Sequence, residues 1–142
     1  MTRIDFHFGV DHRLRYSCRV IRKARAADKR AVVYTRQADR LAQFDQALWT
    51  FSALDFVPHV YVDSPLAAAT PVLLAMDAES APGSDVLLTL DDDPPPSFEK
   101  LFKRYERVIE VVSCDEQDRQ CARARFKTYR ERGFEPTAFE AT

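Results

Sequence analysis

Apolar positions along this chain come in short bursts whose period switches repeatedly between two and about three and a half. Ile4, Phe6 and Phe8 alternate with Asp5 and His7, the pattern of a strand with one buried face. Asp11-His12 then offers a helix start. Leu14, Cys18, Ile21 and Ala24 follow at helical spacing, with Arg15, Arg19, Arg22 and Lys23 on the opposite face. Ala31-Val32-Val33-Tyr34 is a β-branched run that reads as a buried strand. Thr35 is placed to cap a helix that runs through Leu41, Phe44, Leu48 and Trp49.

The middle of the chain is less regular. Phe56 to Val62 contains Pro58, so it reads as a loop leading into a short strand. Val72 to Met76 is a further strand candidate, Ser80 to Ser84 is turn chemistry, and Asp85 to Leu90 is the clearest central strand. Asp91-Asp92-Asp93-Pro94-Pro95-Pro96 ends it, and Ser97 can cap a short helix carrying Phe98, Leu101 and Phe102. Arg107 to Val112 returns to the sheet. Ser113, with Glu116 three residues on, resembles a capping box at the head of a helix reaching about Arg132. Gly133 stops that helix, and Phe134 to Phe139, with its Pro136, reads as an edge strand. Alternation of this kind predicts an α/β fold, a three-layer α/β/α sandwich around a mostly parallel, Rossmann-like sheet.

Length and composition narrow the class. The 142 residues suit one domain over 1–142, and 46% apolar with 30% charged residues is an ordinary globular composition. No apolar run approaches the roughly 20 residues of a membrane span, and Asp5 and His7 interrupt any signal-peptide core. A cytoplasmic protein is expected. Cys18, Cys114 and Cys121 form an odd set without zinc-ribbon spacing, consistent with three thiols in a reducing compartment. The net charge of −1 gives no global attraction for DNA, so direct contact would need a segregated basic patch.

A doubly wound sheet raises the possibility of a nucleotide- or magnesium-dependent enzyme. The first turn reads Phe8-Gly9-Val10-Asp11, with no second glycine and no Lys-Ser/Thr pair, and the chain has three glycines in all. The nucleotide-binding fingerprint is therefore absent. Asp91, Asp92 and Asp93 follow a strand at the edge where α/β sites lie, but they read better as a solvated acidic turn stiffened by prolines. His7, His12 and His59 show no nucleophile or metal spacing. A non-catalytic protein without cofactor or metal is expected.

Two segments carry more information. In the last helix Arg119, Arg123, Phe126 and Arg130 recur at i, i+4, i+7 and i+11, with Lys127 alongside. One helical stripe thus sets an aromatic ring among guanidinium groups. Such a stripe suits an acidic peptide with an apolar end, since arginines fork onto carboxylates and the ring packs the apolar group. It could equally meet phosphates, or be a solvated face whose acidic first turn and basic later turns match the helix dipole. Earlier, Trp49, Phe51, Leu54 and Phe56 crowd into eight residues. They are suited either to an interface or to closing the core at a sheet edge.

At these two places the chain resembles the chi subunit family of bacterial DNA polymerase III. The first is Phe44-Asp45-Gln46-Ala47-Leu48-Trp49 followed, after six intervening residues, by Phe56-Val57-Pro58-His59. The second is the ending from Ala122 to Phe134. The resemblance implies an accessory subunit of the clamp-loader complex that tethers it to single-stranded-DNA-binding protein during DNA replication. It implies that Val112, Arg119, Arg123 and Phe126 hold that protein's acidic, phenylalanine-terminated C-terminal tail. Arg119 stands where a lysine is familiar and Phe126 where a tyrosine is. It further implies that Trp49 and Phe56 face the psi subunit or another clamp-loader component, with a helicase-like protein as a further possible partner. Nucleic acid would be reached mainly indirectly, and no membrane is involved. The Ala-rich segment after Pro65 matches no family signature.

Overall fold

The alternating pattern closes into one seven-stranded sheet. The computed structural model describes residues 2–52, 56–77 and 79–141. Strands β1 (Arg3–Val10), β2 (Ala31–Tyr34), β3 (His59–Tyr61), β4 (Val72–Ala75), β5 (Ser84–Thr89), β6 (Tyr105–Ser113) and β7 (Thr137–Glu140) lie in the order β3-β4-β2-β5-β6-β1-β7. Every pairing is parallel, so the sheet is wholly rather than mostly parallel. Ala31 at the start of β2 stands between Val72 and Val86. All four residues of β2 and of β4 are buried, as expected for strands covered on both faces.

Helices α1 (Arg13–Ala26) and α2 (Ala38–Thr50) cover one face; α3 (Phe98–Phe102) and α4 (Glu116–Glu131) cover the other. Cys18, Ile21, Leu41, Phe44 and Leu48 pack on Val33, Leu74, Leu88 and Ile109 in the first core. Phe98, Phe102, Ala122 and Tyr129 pack on Ile4, Phe6, Val32 and Leu87 in the second. Successive residues of a strand therefore feed opposite cores. A single 3-10 turn at Ala67–Ala69 occupies the alanine-rich segment.

The caps differ from those the sequence suggests. Thr35 does not cap α2: the Gln37 backbone N–H donates to the Thr35 hydroxyl at 3.1 Å, while that hydroxyl donates to Asp91. Ser97 makes no cap bond and instead adopts φ 55°, turning the chain after the prolines. Asp115 rather than Ser113 caps α4, accepting from the Asp118 N–H at 3.1 Å. Asp118 reaches back to the Ser113 N–H at 2.7 Å. Asp118 thus bonds the N–H two residues before the cap rather than the cap's own, which goes to Ser113 Oγ, so the box is not reciprocal, and the carboxylate cap suits the dipole. At the far end Gly133 takes φ 94°, its N–H donates to the Arg130 carbonyl, and the Phe134 N–H donates to the Tyr129 carbonyl. This closes the helix in a Schellman turn. The turn drops Phe134 onto Phe98 and Phe102 and sends the chain into β7.

One buried charge pins the end of the sheet that matters most. Asp5 on β1 is fully buried and accepts from Arg107 Nε on β6 at 2.7 Å and from Thr137 Oγ1 on β7 at 2.8 Å. Burial disfavours its charged form, but the bonds from Thr137, Arg107 and Arg3 outweigh this and hold its pKa below the ordinary carboxylate value.

Candidate functional site

The carboxyl edge of the sheet, where α/β proteins commonly seat ligands, is filled by the protein's own charges. Asp91 is buried, not solvated as the sequence suggests. It accepts from the Thr35 hydroxyl, from the Arg36 N–H at 3.1 Å and from Arg36 Nε at 3.3 Å. Asp92 meets Arg13 at 3.2 Å and Arg40 at 3.3 Å, and Arg13 also lies 3.5 Å from Asp118. Burial raises the Asp92 pKa, yet the two arginines win and leave it lowered. Arginine neutralises both carboxylates, so neither is disposed toward a divalent cation. Among the described residues no three metal-ligating side chains converge.

The open site lies on the flank instead. A groove of about 590 Å³ runs between α4 and the strands β1 and β7. Its helix wall is Arg119, Ala122, Arg123, Phe126, Lys127 and Arg130, with the acidic Glu131 at its end, and its floor is Phe6, Phe8, Val112 and Ala138. All four residues of the expected tail site therefore line one cavity. Val112 is buried in the floor, Phe126 is half-buried, and the side chains of Arg119 and Arg123 are 51% and 62% exposed. Phe6 sits under Phe126, with ring centroids 5.2 Å apart. Phe8, the third apolar residue of the strand pattern, is 40% exposed because it lines this groove rather than the core. Glu116 lies 3.6 Å from both Arg119 and Arg123, so these two guanidiniums share one carboxylate.

Behind the groove is a buried charged cluster. Arg125, Glu110 and Tyr129 are essentially inaccessible. Arg125 Nε donates to Glu110 Oε1 at 3.2 Å, Tyr129 donates to Glu110 Oε2 at 2.6 Å, and Arg125 Nη1 donates to the Asp92 carbonyl at 2.7 Å. Burial opposes the Arg125 charge, but the Glu110 carboxylate outweighs it and raises the pKa. Burial, then Glu110, push the Tyr129 phenol far up. The Arg125 guanidinium also stands 5.9 Å over the Phe6 ring. Helix, floor and β6 are thereby tied together.

The aromatic segment forms a second surface. Trp49 is 49% and Phe56 68% exposed, with their rings 5.5 Å apart. Trp49 therefore does not join Leu41, Phe44 and Leu48 in the core. It stacks 4.7 Å from the His59 ring, which is fixed between the Val57 carbonyl and the Asp45 carboxylate at 2.7 Å each. Phe51 is partly buried against the core; Leu54 lies outside the described residues.

Comparison with known proteins identifies the lineage. The profile of the family described as "DNA polymerase III chi subunit, HolC" matches residues 1–137. The chain belongs to the DNA polymerase III chi subunit family. One chi relative, from Pseudomonas aeruginosa, is 28% identical over 138 residues, covering 94% of this chain and 93% of its own length. Another, from Escherichia coli, is 27% identical over 118 residues, covering 82% and 78%. Both are named DNA polymerase III subunit chi. A solved structure of the Saccharomyces cerevisiae Dbp5 C-terminal domain, bound to Gle1 and IP6, superposes with a TM-score of 0.60 at 9% identity. It covers 99% of this chain and 90% of its own, which speaks to the fold alone. The chain is thus a replication accessory subunit by family, and no helix among the described residues is long and apolar enough to cross a membrane.

For a chi-family chain, two groove features lie outside the sequence reading. Phe6 and Phe8 were legible only as strand residues, because their partner face depends on where α4 lands. The Arg125–Glu110–Tyr129 cluster did leave a signal: Glu110 interrupts an apolar strand, and Ala122, Arg125 and Tyr129 share a helix face that adjoins the arginine stripe.

Proposed function

We propose that this chain is a non-catalytic, cytoplasmic adaptor. On this reading it tethers the clamp-loader assembly of DNA polymerase III to the acidic, phenylalanine-terminated C-terminal tail of single-stranded-DNA-binding protein. The observation that carries the reading is the convergence of Arg119, Arg123, Phe126 and Val112 on one groove with a Phe6–Phe8 floor. The terminal phenylalanine packs against Phe126 and the floor. Its carboxylate and the preceding acidic residues meet Arg119 and Arg123, displacing Glu116, with Lys127 and Arg130 extending the positive wall. Phe126 offers the peptide a ring without a hydroxyl, so affinity here relies on packing and guanidinium contacts.

The exposed Trp49–Phe56 pair supports the second half of the reading, a docking surface for the psi subunit, another clamp-loader component or a helicase-like protein. Exposed, mutually packed aromatics are the anchors typical of such interfaces. An adaptor with two separate sites raises effective concentration without requiring either contact to be tight.

The test is fluorescence polarisation with a labelled acidic peptide ending in Pro-Phe, beside the same peptide lacking the last residue. Binding should be saturable, salt-sensitive and dependent on that phenylalanine. Arg123→Ala should weaken it by roughly 1.5–3 kcal/mol, the range for a bond to a charged group. Equal affinity of the two peptides, or an unchanged R123A variant, would move the tail site elsewhere.

A further inference from the structure

Helix α1 carries Arg13, Arg15, Arg19, Arg22, Lys23 and Arg25 and no acidic residue. In a chain of net charge −1 this leaves the remainder acidic, so α1 is the segregated basic patch that overall charge conceals. Arg13, Arg22 and Arg25 are engaged locally. Arg13 pairs with Asp92 and Asp118, and Arg25 donates to the Lys29 carbonyl. Arg22 lies 5.5 Å from the Phe51 ring and Arg19 5.8 Å from the Tyr16 ring. Among the described residues no carboxylate pairs with Arg15, Arg19 or Lys23, and all three are exposed.

Only part of this arrangement serves the fold: Lys23 and Arg25 suit the dipole in the last turn, and Arg13 pairs with Asp92 and Asp118. Helix α4 matches its dipole, with Glu116 and Asp118 in the first turn; α1 has no acid in its first turn and places arginines there. Arg15–Arg19 and Arg19–Lys23 are i,i+4 like-charge pairs, each destabilising by about 0.2–0.5 kcal/mol. The row therefore persists at a cost to stability, which points to a ligand outside the chain.

We propose that the exposed face of α1 contacts the phosphate backbone of single-stranded DNA. Arg15, Arg19 and Lys23 rise about one helical turn at a time, ~6 Å, a spacing suited to successive phosphates along one strand. An acidic peptide recognised by its end needs an apolar pocket, as beside α4. The principal cavities leave Arg15, Arg19 and Lys23 untouched. A phosphodiester strand needs only a row of cations. Guanidiniums already lying beside the Tyr16 and Phe51 rings add flat surface next to that row. Because α1 and α4 lie on opposite faces of the sheet, strand and tail can be held together. The contact itself does not depend on the tail reading.

The experiment titrates the full chain into a labelled oligothymidylate across a salt series, beside a triple variant R15A/R19A/K23A, with R123A as the groove control. Wild type should bind weakly at low salt, with log K falling against log salt at about −2 to −3 for three to four phosphate contacts. The triple variant should bind roughly tenfold or more weakly, with a slope reduced by about 2, while R123A should match wild type. Thermal melting should show the triple variant folded and no less stable. No binding of the oligonucleotide at low salt, or an unchanged slope in the folded triple variant, overturns the proposal. So does a polyglutamate of equal charge that competes as well as the oligonucleotide; that result would assign the face to an acidic protein.

Discussion

Replacing Glu110 by glutamine tests whether the cluster behind the groove holds α4 in place. The carboxylate has two oxygens and each accepts from a different donor, Arg125 Nε and Tyr129 Oη. An amide of the same shape offers one acceptor, so one donor must face an NH₂ group. The Arg125 charge meanwhile keeps only the neutral Asp92 carbonyl, with its Nη2 already without a partner in a buried setting. Breaking a buried pair from one side costs about 3–5 kcal/mol, and the surviving bonds argue for the lower end, about 3. Unfolding entropy near 2.1 cal/mol/K per residue gives ~0.3 kcal/mol/K for a chain of 142 residues, so the expected drop in Tm is about 10 °C. Differential scanning calorimetry of E110Q measures it. Tail binding measured well below the lowered Tm should also weaken, because Phe6 touches Arg125, Phe126 and Tyr129 alike. A Tm within about 2 °C of wild type would show that the pair contributes no net stability, and the account of how the groove is fixed would fail.

Three further outcomes are expected. Glu116→Gln removes the competitor of Arg119 and Arg123, so tail affinity at low salt should rise by up to about fivefold, the scale of an exposed ion pair; weaker binding would mean Glu116 orients the cations rather than masks them. Asp5 and Asp92 have pKa values lowered in the folded chain. Their stabilisation is therefore present above the ordinary aspartate value of 3.8 and lost progressively as pH falls below it through the lowered folded-state values. Asp5→Asn should flatten that part of a urea-midpoint-versus-pH curve, and a parallel curve would discount the Arg107 and Thr137 bonds. Burial raises the Cys18 thiol to about 12 while Cys114 is exposed, so native-state thiol labelling should take Cys114 first and Cys18 only on unfolding; early Cys18 reaction would contradict the packing under α1.

The strand–helix alternation was legible because each element's period was clear over its buried face: Val32 and Val33 feed opposite cores as a doubly covered strand must, and Leu41, Phe44 and Leu48 keep one stripe. The arginine–phenylalanine stripe of α4 was legible for the same reason. Caps were less so. Ser113, Thr35 and Ser97 each have side chains able to cap, but Asp115 and the Asp91 network compete for the same N–H groups, and that contest is decided by atoms distant in sequence. Asp91 looked solvated because its neighbours are Asp92 and three prolines; Thr35 and Arg36 arrive only when β2 pairs with β5. The groove floor was hidden for the same reason, since Phe6 and Phe8 acquire their role from β7 and α4, more than a hundred residues on.

The ion pairs that fill the carboxyl edge also bear on time. Many proteins of this architecture bind in a cleft between strand ends and close a loop over the occupant, a step that slows capture and release. Here Arg13, Arg40 and Asp92 are joined by ion pairs across that edge, and the groove stands on the already packed helix α4. Partners should therefore associate in a single phase, with an observed rate rising linearly with concentration and quickened at low salt by the basic walls. On the adaptor reading proposed above, a connector that exchanges in this way would let go and re-engage while its assembly keeps moving.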